Sequence, residues 1–74
     1  MKTTMNHSNG KSRKQFRMEE QSNGTFMNTQ WESWKGEEWT REHRSNETSM
    51  SKEECEKEQE EWTETMMEMG FTRT

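Results

Sequence analysis

Apolar residues are sparse along this chain, and only one stretch repeats them with a clear period. In SKEECEKEQEEWTETMMEMGF, from Ser51 to Phe71, the positions Cys55, Gln59, Trp62, Met66 and Met69 recur at intervals of four, three, four and three. That spacing lines one stripe of an α-helix and leaves glutamates on the rest of its surface. Ser51 and Glu54 match a capping box, in which the serine hydroxyl accepts from the Glu54 amide and the Glu54 carboxylate reaches back to the Ser51 amide. Met50 and Cys55 stand where a hydrophobic staple belongs. Gly70 followed by Phe71 reads as a Schellman ending, with Phe71 against Met66. Period, start and stop signals agree on a helix from Lys52 to Met69.

The remaining pattern is weaker. Ser8-Asn9-Gly10 and Ser22-Asn23-Gly24 are turn signals that divide the first third of the chain. Ser12 and Gln15 match a second capping box, which predicts a short basic helix near Arg13 to Gln21 holding Phe16. Thr29 and Glu32 match a third and open a helix over Gln30 to Arg44. In that helix Trp31, Trp34 and Trp39 span an arc of roughly 140°, and Gly36 is the expected kink. No segment shows the apolar alternation and β-branched enrichment of a strand. The expected fold class is therefore all-α: a small helical hairpin or three-helix bundle over residues 11–74, preceded by a flexible basic arm, residues 1–10.

Composition changes this picture in two ways. The apolar set is eight Met, four Trp, three Phe and one Cys, at high charge, so the lone chain is expected to be marginally stable and is a candidate for oligomerisation. Leu, Ile, Val, Ala, Pro, Asp and Tyr are absent, although average soluble chains are rich in Leu, Ala and Val. Single-codon Met is abundant where many-codon Leu is missing, which points to an artificial, restricted-alphabet sequence; an orphan gene is the alternative. The net charge of −4 conceals an asymmetry: residues 1–18 carry five Lys or Arg and no acid, and all fifteen Glu follow. The N-terminal MKTTMNHSNGK lacks the apolar run of a signal peptide and no stretch is long enough to span a membrane, so the expected location is cytoplasmic.

Candidate chemistry is limited. With no Asp, two His and no nucleophile paired with a base by any motif, an enzyme is not expected. A lone cysteine and the absence of C-x-x-C or H-x-x-x-H spacing argue against a metal site or cofactor. Two binding readings remain. In the first, Cys55, Gln59, Trp62, Met66 and Met69 form a coiled-coil-like seam and Trp31, Trp34 and Trp39 a second face, together driving self-association or binding of a partner helix. In the second, the chain is a ligand-binding module. Its Trp and Met cavity would hold a small molecule or metal, or KSRKQFR would grip nucleic acid through Lys11, Arg13, Lys14 and Arg17 with Phe16 as a stacking surface. The acidic remainder of the chain weighs against nucleic acid, so the seam is the leading expectation.

Overall fold

The computed structural model describes residues 2–42 and 49–73. They form strands β1 (Lys2–His7), β2 (Ser12–Glu20), β3 (Phe26–Trp34) and β4 (Thr40–Arg41), helix α1 (Lys52–Glu68) and strand β5 (Phe71–Arg73). The strands make one antiparallel sheet in the order β4-β3-β2-β1-β5, and α1 lies across one of its faces. The all-α expectation is thus overturned: this is a two-layer α+β fold with one helix among the described residues, and neither a helical bundle nor a coiled coil.

The two Ser-Asn-Gly tripeptides act as turns, as expected, but they join strands. Asn9 Oδ1 accepts from the amides of Lys11 (2.8 Å) and Ser12 (3.2 Å), while the Gly10 amide closes onto the His7 carbonyl at 3.0 Å. Asn23 and Gly24 repeat the device, with Asn23 Oδ1 accepting from the Thr25 amide at 3.1 Å and Gly24 closing onto Gln21 at 3.0 Å. Such turns favour tight reversals between paired strands. Residues 1–10, expected as a flexible arm, instead contribute β1, which is hydrogen-bonded on both sides.

The two segments expected as helices lost to long-range pairing. A helix over Arg13 to Gln21 would bury little more than Phe16. As a strand the same residues put Phe16 and Met18 on one face, two positions apart, and pair with β3 from Ser12↔Trp34 to Glu20↔Phe26. The capping-box matches at Ser12 and Thr29 fall inside β2 and β3. Gly36, expected as a helix kink, sits beside Lys35 in a turn after β3, with φ of 77° and 52°. Positive φ at two successive central residues is the signature of a type I′ hairpin turn, here closed by the Glu37 amide on the Trp34 carbonyl at 3.0 Å. The end of the expected Trp-bearing helix, including His43 and Arg44, lies outside the described residues.

The C-terminal helix is where its pattern placed it. Ser51 Oγ accepts from the Glu54 amide at 3.2 Å, although the Glu54 carboxylate takes the Ser51 hydroxyl (3.1 Å) and not its amide. Met50 and Cys55 are both buried, and the backbone of Met50 exchanges two bonds with Phe26, which fastens the helix start to β3. Gly70, with φ 94°, ends the helix and turns the chain into β5. The stripe of Cys55, Gln59 and Trp62 is buried, but against Met5, Phe16, Met18 and Phe71 of the sheet, with Phe16 and Trp62 at a centroid separation of 5.5 Å. Of the stripe expected to recruit another helix, Cys55, Gln59 and Trp62 are covered by the chain's own sheet. No helix among the described residues is long and apolar enough to cross a membrane.

Candidate functional site: the open face of the sheet

Side chains alternate across a sheet, so the positions that point at α1 define those that do not. Met5, Phe16, Met18 and Asn28 face the helix. Lys2, Thr4 and Asn6 of β1, Arg13, Gln15, Arg17 and Glu19 of β2, Met27, Thr29, Trp31 and Ser33 of β3, Arg41 of β4 and Thr72 of β5 therefore share the opposite face. The register sets them in four cross-strand rows: Glu19, Met27; then Lys2, Arg17, Thr29; then Thr4, Gln15, Trp31, Arg41; then Thr72, Asn6, Arg13, Ser33.

Two of these cations stand over indole rings, Arg17 over Trp31 of β3 and Arg13 over Trp39 of the connection between β3 and β4. The Arg17 guanidinium carbon lies 4.1 Å from the centre of the Trp31 ring, and that of Arg13 lies 4.8 Å from Trp39. Both are inside cation–π range, about 6 Å. Hydrogen bonds hold each platform. Arg17 Nε donates to Gln15 Oε1 at 2.5 Å, and Gln15 Nε2 donates in turn to Thr4 Oγ1 at 2.9 Å. Trp31 Nε1 donates to Thr29 Oγ1 at 2.9 Å. An Arg13 terminal nitrogen donates to Ser33 Oγ at 3.1 Å, and that hydroxyl donates to the Glu37 carbonyl. Gln15, Thr29 and Ser33 are buried on the face away from α1, because the Arg and Trp side chains form a layer above. A shallow hollow of about 270 Å³, lined by Lys2, Arg17, Met18 and Glu19, adjoins the first platform.

The opposite surface has the other sign. Residues 52–68 carry eight Glu and two Lys, and all of these glutamates except the half-buried Glu58 are exposed. Eight of the fifteen glutamates that weigh against nucleic acid in the sequence lie here, on the far layer, while Glu19 stays on the cationic face.

The structure divides the sequence candidates. Arg13 and Arg17 come together with Trp31 and Trp39, residues assigned from the sequence to separate roles. Lys14 points to the helix side, where it bridges Glu32 (3.0 Å) and Glu42 (2.5 Å). Burial opposes its charge, but the hydrogen bonds to Glu42 and Glu32 outweigh that and raise its pKa above the usual 10.5. Lys11 is an exposed turn residue. Trp34 is half exposed at the helix-side end of β3, Met66 is half-buried against the core and Met69 is exposed. Sequence reasoning missed Lys2 and the positioning role of Gln15. The period-two runs Arg13-Gln15-Arg17 and Thr29-Trp31-Ser33 carried the signal, but a search for apolar alternation passes over it.

Other sites offer less. Cys55 is fully buried, and burial, then the charges of Glu58 and Glu56, push its thiol above the usual 9.0, which disfavours the nucleophilic thiolate. A cleft of about 400 Å³ between α1 and the sheet, bordered by Phe16, Gln30, Glu58 and Trp62, is wide open to solvent and contains no cation among its lining residues. No group of three or more His, Cys or Glu among the described residues could hold a metal ion. Comparison with known proteins gives no family model, no curated protein and no solved structure that matches the chain.

Proposed function

We propose that this protein is a binding module whose open sheet face recognises a polyanion. The observation that carries the reading is the bias of charge between layers: Lys2, Arg13, Arg17 and Arg41 share the face that α1 does not cover, with Glu19 the one acid among the described strand residues there, and the glutamates of α1 project from the other. A cationic surface backed by an acidic layer attracts anions in one orientation only, and its attraction weakens as salt screens it. The Gln15, Thr4 and Ser33 hydrogen bonds hold two guanidinium groups in place before any ligand arrives, which lowers the ordering cost of binding.

The test is fluorescence anisotropy of labelled inorganic polyphosphate between about 50 and 200 mM salt. Wild type should bind with a steep salt dependence. Combined Lys2→Gln, Arg13→Gln and Arg17→Gln should flatten it, and Lys52→Gln with Lys57→Gln, on the other layer, should leave it unchanged. Binding that survives the triple substitution would overturn the reading.

A further inference from the structure

Resting on the polyanion reading, we infer that the ligand is single-stranded nucleic acid, with unpaired bases stacked on the Arg17–Trp31 and Arg13–Trp39 platforms. Charge alone does not require indoles at these positions. Trp31 directs its only hydrogen-bond donor inward to Thr29, so what it contributes to the surface is ring area. The Arg17 guanidinium carbon stands 4.1 Å from the centre of that ring, and a base stacks on a guanidinium plane as it does on an aromatic side chain. Each platform thus pairs a flat surface with a positive charge, which is the combination a nucleotide presents in complement: a flat base and a phosphate.

Spacing separates single strands from duplexes. Arg13 and Arg17 are four residues apart on one face of β2, a separation of about 13 Å at roughly 3.3 Å per residue. Stacked bases in a duplex follow one another at about 3.4 Å. Bases seated on both platforms are therefore splayed apart, with one or more nucleotides passing between them over Gln15. A paired duplex hides its base faces and cannot do this. Sheet-based modules that stack two or three splayed bases use the same physical solution.

The probes are an oligodeoxythymidylate about ten nucleotides long, within the usual site range of about 4–16, a duplex of the same length and polyphosphate of matched charge. Anisotropy and tryptophan fluorescence are read together. The single strand should bind at least about tenfold more tightly than the other two and quench tryptophan emission, and Trp31→Leu should weaken it by about five- to a hundredfold with little effect on polyphosphate. Arg17→Lys keeps the charge but removes the plane; it should reproduce most of that loss, and it decides the matter if Trp31→Leu fails to fold. Equal binding of all three probes, unchanged in Arg17→Lys, would overturn the base-stacking inference and leave the polyanion reading standing. No binding of any probe would remove both.

Discussion

Asn28, fully buried in β3, donates its side-chain amide to Glu58 Oε2 of the helix at 2.6 Å, so a polar tie crosses the layer of Met, Phe, Cys and Trp, as a second does from Gln59 of the helix to Thr3 of β1. The Asn28 side-chain oxygen, Oδ1, has no hydrogen-bond partner among the described residues. A donor is therefore what this position supplies. Asn28→Asp replaces that donor with a second carboxylate beside Glu58, and at pH 7 it should cost roughly 3–5 kcal/mol, as an uncompensated buried charge does. The two carboxyls can share a proton, which raises the introduced group's folded-state pKa. Stability is then recovered as pH falls below that value, and urea titrations at pH 7 and pH 4.5 should show the deficit shrinking. A deficit independent of pH would contradict the tie.

Phe16 and Trp62, both buried, meet at 5.5 Å between the two layers. Either residue changed to Ala should lose about 3–5 kcal/mol, enough to unfold a domain with so few apolar residues. Loss of the near-ultraviolet tryptophan signal in Phe16→Ala, with Trp62 itself intact, is the measurement.

Gly70 holds φ at 94°, and a Cβ there would stand 3.1 Å from His7 Nε2. Gly70→Ala should therefore destabilise by about 1–3 kcal/mol through backbone strain and crowding together. Lys35, at φ 52°, is a side chain where the turn prefers Asn or Gly. Lys35→Asn should raise the thermal midpoint by a few degrees at most, and a lowered midpoint would argue against the hairpin at that position.

Alkaline pH should destabilise the protein in two stages. The folded-state pKa of Cys55 is raised, first by burial, so its contribution is fully present below the unfolded value of 9.0 and is lost as pH rises through the higher folded value. Lys14, raised above 10.5 by its two glutamates despite burial, behaves the same way at higher pH. Cys55→Ala should lack the first decline and keep the second, which denaturant titrations between about pH 8 and 11 can separate.

The sequence by itself determined whatever depended on neighbours in the chain. Helix α1, with its Ser51 cap, its buried stripe and its Gly70 stop, was legible because period and caps lie within one turn of each residue they govern. The two Ser-Asn-Gly turns were legible for the same reason. Strands β1, β2 and β3 were not, because their stability comes from partners such as Gln15 and Trp31, sixteen positions apart, and because both faces carry polar residues, so alternation produces no contrast. Met and Trp in place of Val and Ile removed the remaining strand signal. For the site, Arg13 and Arg17 were candidates from composition, and Trp31 and Trp39 from size. Only the tertiary structure stacked one pair on the other and moved the helix glutamates to the far layer, because register and layer order are set by long-range pairing and burial.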